Sequence, residues 1–307
     1  MASMKEIQTH IKSIQDTQKV TNAMYLIASA KMRKAKAELD QTKPYFEAIR
    51  DEIKRIFRTV EDVESPYFYP SSGEHELPGA YGYLIITSDK GLAGAYNQNV
   101  IKETLRLLDN HHDNKLFVVG DYGRAYFTAH GFSIEQSFLY TAQNPTFDRA
   151  REISSTLLDL YKQGELSKIF VIYTDFRNGL NAQTTVTRLL PFHRHEFFAG
   201  EKAVHAPFEF EPSVEKVLEA IMPSYIAGFL YSALVDSFCC EQNTRMTAMD
   251  TATRNAQDLL DELKAEYNHL RQSRITQEIT EISSGTKSQL QKRQKKAERE
   301  ATDRVNG

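Results

Sequence analysis

The stretch RMTAMDTATRNAQDLLDELKAEYNHL, Arg245–Leu270, sets the terms for the rest of the chain. Met246, Met249, Thr253, Ala256, Leu260, Leu263, Tyr267 and Leu270 recur at alternating spacings of three and four, the heptad seam of a coiled coil. Half of that seam is small, polar or pliable, so the spacing predicts a long helix with light packing. A matching seam lies at the other end of the chain: Ile7, Ile11, Ile14, Gln18, Thr21, Tyr25, Ala28, Met32, Ala35 and Leu39, with no Pro or Gly before Pro44. Phe46, Ile49, Ile53, Ile56 and Val60 carry the pattern on, predicting one helix of nearly 60 residues with a bend at the proline. Two such helices from opposite ends of one chain pair most simply antiparallel. At 1.5 Å per residue, ~60 residues run about 90 Å, which leaves a projecting end for something to grip.

Between the two helices the period changes. ESPYFYPSSGEHELPGAYG (64–82) breaks the helix with Pro, Gly and Ser. YGYLIITS, KLFVVG and KIFVIYTDF are short apolar runs bounded by turn signals and read as buried strands, with TTVTRLLPF as a further, edge strand. Helical patterns fall near Asn97–Leu108, Tyr122–His130 and Phe147–Lys162, and this alternation predicts an α/β layer with a largely parallel sheet. After Pro212 the helical period returns. Pro223 interrupts Val214, Leu218 and Ile221, so its expected place is the first turn of a following helix. From Tyr225 the seam runs through Gly228, Ser232, Val235, Cys239 and Gln242 into Met246, and the last residues, QLQKRQKKAEREATDRVNG, read as a frayed helix or tail. The predicted fold class is α/β: a long antiparallel coiled coil (1–62 and 212–307) carrying an inserted Rossmann-like α/β domain (63–211), without internal repeats.

Composition narrows the function classes. A hydrophobic content of 41% and a charged content of 26% fit a chain with a real core, and a net charge of −3 argues against an electrostatic nucleic-acid binder. Cys239 and Cys240 are adjacent on a helix, where their side chains diverge by about 100°, so they suit neither a disulfide nor a metal pair. The chain start lacks the apolar core of a secretory signal, and no apolar run approaches the roughly 20 residues of a membrane span. SDKGLAGAYN (Ser88–Asn97) stands where α/β proteins bind phosphates, but it lacks both GK[ST] and GxGxxG. A tight turn whose glycines permit close approach is the stronger reading. His111 with His112 and His193 with His195 have no companions at metal-ligand spacing, and no Ser–His–Asp or paired-carboxylate set stands out. No catalytic residue, cofactor site or metal site is predicted. The basic run KMRKAK (Lys31–Lys36) reads as a solvated helix face, since no aromatic interleaves it.

Three stretches, MASMKEIQTHIKSIQDTQKVTNAMYLIASAKMRKAK, IITSDKGLAGAYNQNVIK and LYSALVDSFCCEQNTRMTAMDTATRNAQDLLDELKAEYNHLRQSRITQEITEI, together resemble the gamma-subunit family of F-type ATP synthases. The resemblance covers nearly the whole chain, and its terminal signatures are highly specific. It implies a central-stalk rotor: two antiparallel helices inside a ring of alpha and beta subunits, with the α/β domain outside, near the membrane ring. It also implies an epsilon subunit and a membrane c-ring as partners, and a peripheral place on the cytoplasmic side of the cell membrane. A shaft turning in a sleeve cannot be glued to one face of it, which gives the light seam a reason. By resemblance, RQSRITQE matches the stretch that contacts a catalytic-subunit loop. Arg271, Gln272, Thr276 and Glu278 are then candidate torque contacts, with Met24 expected opposite them on the first helix. The chain departs from the family at Asn22, where Lys is usual, and at EISSGTKSQL, where the usual end is apolar and where 17 further residues follow. Pairing is expected to end near Ile282 and residues after Gln291 to be dispensable, unless the Lys and Arg cluster grips an acidic surface. The competing readings are a coiled-coil shaft of a divergent rotary ATPase and a nucleotide-binding α/β enzyme.

Overall fold

The computed structural model describes residues 3–59, 65–69, 78–109, 113–139, 141–178, 181–193, 197 and 210–305, with side chains except at 58–59, 177–178, 181–182 and 294–305. Its elements are α1 (Met4–Thr59), β1 (Ala80–Ile86), α2 (Tyr96–Leu108), β2 (Asn114–Val119), α3 (Asp121–Ala129), β3 (Ile134–Phe138), α4 (Phe147–Lys162), β4 (Leu166–Asn178), β5 (Asn181–Leu190) and α5 (Val214–Val305). They divide into two compact units, one of residues 24–248 and one of residues 1–23 with 249–307.

In the 24–248 unit the sheet runs β3-β2-β1-β4-β5. β1 pairs in parallel with both β2 and β4, β2 pairs in parallel with β3, and β5 closes one edge antiparallel to β4. Both faces are covered, which is why the inner strands read as unbroken apolar runs. Leu84, Ile86, Phe117 and Val119 face one core with α4 (Ile153, Leu157) and α5 (Met222, Ile226, Leu230, Leu234). Tyr83, Ile85, Leu116 and Val118 face the other, with Val100 and Ile101 of α2 and Phe127 of α3. β3 has no counterpart in the sequence reading: in IEQSF only Phe138 is buried, so an edge strand of polar residues gave no apolar run.

Two readings of the C-terminal helix are corrected here. Pro223 lies well inside α5 and not in a first turn. Leu218, Met222 and Ile226 on either side of it are fully buried, and that burial holds the helix through the lost N–H bond. The helix also contains an 18-residue window of mean hydropathy 1.4, enough to pass for a membrane span by length and composition. Half of that window is buried within the protein, as expected of a core helix.

The other unit is slender. A reciprocal capping box starts α1: Ser3 N–H donates to Glu6 Oε2 at 2.7 Å, and Glu6 N–H donates to Ser3 Oγ at 3.3 Å. The helix pair is closed by Ile7, Met249, Ala256 and Leu260, by a 2.8 Å hydrogen bond between the hydroxyls of Thr21 and Thr253, and by Gln18 Nε2 donating to Gln257 Oε1 at 3.1 Å. Tyr267 and Leu270 are half-buried, and every residue from Arg271 to Arg293 is exposed. Pairing therefore ends at Leu270, not near Ile282. Ile275, Ile279 and Ile282 are 48%, 61% and 71% exposed. The Thr21–Thr253 register puts Arg271, 18 positions beyond Thr253, level with Ser3, where α1 begins.

Candidate partner-contact site

The order β3-β2-β1-β4 switches direction beside β1, and ligands of open α/β sheets bind in the crevice at such a point. Here the chain's own side chains fill it. Thr87 Oγ1 donates to Val119 O at 2.8 Å and accepts from Gly123 N–H at 3.0 Å. Gly120 has φ +95°, and a Cβ there would stand 2.4 Å from Thr87 O, so only glycine lets the two turns meet. Ser88 N–H donates to Asn97 Oδ1 at 3.0 Å, and Asn97 Nδ2 donates back to Ser88 Oγ at 2.8 Å. Asp89 Oδ1 accepts from Asp121 N–H at 3.0 Å, so the first turn of α3 already faces a carboxylate. Tyr96 is buried among Thr174, Ser237 and Cys240; burial, then the nearby Glu241 carboxylate, push its phenol pKa up. Of the two glycines in SDKGLAGAYN only Gly94 serves approach: a Cβ on it (φ +53°) would lie 2.9 Å from Thr244 of α5, whereas one on Gly91 would meet nothing within 4 Å. Among the described residues no group of three His, Cys, Asp or Glu could hold a metal ion. His111, His112 and His195 lie outside those residues, and His193 stacks on Tyr69.

Beside that turn, α1, α5 and the loop after β1 enclose a cleft of about 290 Å³. Arg245 forms its floor: Nη1 meets Glu241 Oε1 at 2.6 Å, and Nη2 donates to Lys90 O at 3.2 Å and Gly91 O at 3.0 Å. Burial pushes the Glu241 carboxyl up and the Arg245 guanidinium opposes that shift. Leu92, held at φ +63°, is 65% exposed on the rim, with Ile27 at 56% and with Lys31 and Lys90 also lining the cleft. Arg245 is already paired with Glu241 there, and Lys31 and Lys90 line the cleft together with the Asp89 carboxylate and the apolar Ile27 and Leu92.

Residues 3–288 match the model of a family described as ATP synthase. The chain is 38% identical to the ATP synthase gamma chain of Ruminiclostridium cellulolyticum, over 92% of this chain and 97% of that relative. It is 41% identical to the one from Caldanaerobacter subterraneus subsp. tengcongensis, over 92% and 98%. The chain belongs to the ATP synthase gamma-chain family. Among solved structures, the central stalk and c-ring of Tetrahymena thermophila mitochondrial ATP synthase contain a chain that is similar with TM-score 0.55 and 25% identity, covering 76% of this chain and 99% of that one. A chain of Euglena gracilis mitochondrial ATP synthase in rotational state 3 shares the fold, with TM-score 0.65 at 14% identity, over 93% and 94%.

Of the five sequence-predicted contacts of this gamma chain, Met24 falls in the 24–248 unit and Arg271, Gln272, Thr276 and Glu278 fall in the other. Met24 is half-buried and lines the cleft of the 24–248 unit. Arg271, Gln272, Thr276 and Glu278 are exposed on the other unit, where the helix-pair register puts Ser3 level with Arg271. Thr276 Oγ1 donates to Gln272 O at 2.9 Å and Glu278 Oε1 accepts from Arg274 Nε at 3.1 Å. The Arg271 and Gln272 side chains make no hydrogen bond among the described residues. The sequence reading missed Glu241, Arg245, Lys90 and Leu92. One signal was present: Glu241 and Arg245 form an i,i+4 pair in a buried stretch of the helix, beside Ser237 and Gln242, and such a pair needs a reason to be buried.

Proposed function

We propose that this gamma chain is the non-catalytic rotor shaft of its ATP synthase, coupling ion passage through a membrane ring to ATP synthesis or hydrolysis on the alpha and beta subunits. The carrying observation is the slender helix pair, joined through Thr21 and Thr253, whose longer member is bare after Leu270. A two-helix element with hydroxyls in its seam and 23 exposed described residues beyond it is built for surroundings supplied by other subunits. Arg271, Gln272, Thr276 and Glu278 are contacts to a catalytic subunit, and Met24 in its cleft is a separate contact. The epsilon subunit and the c-ring complete the partners, and the protein sits peripherally on the cytoplasmic face of the cell membrane. The test is Arg271→Ala with Gln272→Ala in the assembled complex. The α/β domain should remain folded while copurification with alpha and beta, or ATP-driven pumping, falls; wild-type values for both would remove the assignment. The purified chain alone should neither bind nor turn over nucleotide, and turnover would favour the enzyme reading.

A further inference from the structure

Most exposed bases on the slender unit before Ile282 have an acid one turn away, Lys5 and Arg271 being without one. Arg254 meets Asp250 at 2.6 Å, Arg274 meets Glu278 at 3.1 Å, Lys19 meets Asp16 at 3.1 Å and Lys264 meets Asp261 at 3.9 Å. After Ile282 the arrangement stops. From Ser283 to Ala297 the sequence has five bases, Lys287, Lys292, Arg293, Lys295 and Lys296, and no acid. Lys287, Lys292 and Arg293 are exposed, and no acid stands three or four residues from any of them. Lys292 instead has Lys295 and Lys296 at that spacing, and Arg293 has Lys296, which are self-repelling pairs on a helix. Of the two expectations for this end, a frayed helix or a tail, the helix is what forms, since α5 runs to Val305. The helix dipole does not account for the bases either, since its effect is confined to the last turn and these three lie well before it.

The family match stops at residue 288, and relatives covered over 97% and 98% of their length align with 92% of this chain. Lys292 and Arg293 lie beyond that match, so the shared shaft design does not explain them. The sequence has no Phe, Tyr, Trp or His from Ser283 to Ala297 on which a nucleic-acid base could stack. Leu290 is the one large apolar residue from Ser283 to Ala297, too little to seat a helix in a lipid surface. The complement that remains is a carboxylate-rich protein surface.

We propose that Lys287, Lys292 and Arg293 form a docking segment for an acidic surface on another protein subunit of the complex. The proposal rests on the shaft reading. The test uses the assembled, detergent-solubilised complex and a zero-length carbodiimide, which joins a lysine only to a carboxylate in contact with it. Mass spectrometry should find Lys287 or Lys292 linked to an Asp or Glu of a different subunit. The yield should drop several-fold as salt rises from about 0.01 M to about 1 M, which shortens the screening length from about 30 Å to about 3 Å. An assembled complex without these cross-links, or with links that ignore salt, overturns the docking segment alone. Failure of the chain to recover alpha and beta subunits at all overturns the shaft reading and the docking segment together.

Discussion

Asp236 illustrates how one residue sets a pH response. Burial, then the neighbouring Asp175 carboxylate, push its pKa from 3.8 to about 7, against the opposing Lys43 charge and a hydrogen bond with Ser232. Below the ordinary value both folded and unfolded chains hold the proton and nothing is lost. As pH rises through that value the unfolded chain ionises first, so stability falls until the folded group itself titrates near 7, and is level above it. Asp236→Asn should therefore match the parent near pH 3 and exceed its stability at pH 8 by on the order of 1–3 kcal/mol, measured by urea unfolding at both pH values. Gly228 sets a steric limit in the same helix. A Cβ there would fall 2.1 Å from the Phe46 ring, which is itself packed on Phe147. Gly228→Ala should cost about 1–3 kcal/mol of unfolding free energy, as overpacking does, and a melting temperature unchanged from the parent would contradict that contact.

At the scale of the element, the helix pair is the weak part. Thr21 and Thr253 satisfy one another across the seam, but two hydroxyls replace aliphatic side chains that would have added burial. Amide exchange in residues 1–23 and 249–293 should be fast in the free chain and slow in the assembled complex, and equal protection in both would defeat the reading of this pair as partner-dependent. The seam was legible because heptad spacing survives the substitution of small or polar residues. Its end was not, because Ile275, Ile279 and Ile282 look like seam residues until one knows that α1 begins at Met4. Pro223 misled for a related reason: local preference predicts a helix start, whereas burial of Leu218, Met222 and Ile226 against the sheet overrides it. β3 was invisible because edge strands need no apolar run.

For the whole molecule, the 24–248 unit has its own two-faced sheet core, so a chain trimmed to those residues should retain a cooperative unfolding transition by circular dichroism. Loss of that transition would show that the core depends on the slender unit. The inserted α/β domain was legible in the sequence because short unbroken apolar runs and period-3.6 patterns alternate cleanly there. The cleft around Arg245 was not, since it draws on α1, the loop after β1 and α5, and no local pattern records that meeting. The bare helix beyond Leu270 also bears on how much of this protein a cell keeps. Exposed at every residue from Arg271 to Arg293, it should open more readily than the paired segment, and cleavage of a transiently opened segment follows the open population. An orphan copy thus presents cellular proteases with a ready starting point, which incorporation into the complex removes. Surplus shafts should be short-lived, and their abundance should settle at the number of rings waiting to receive one.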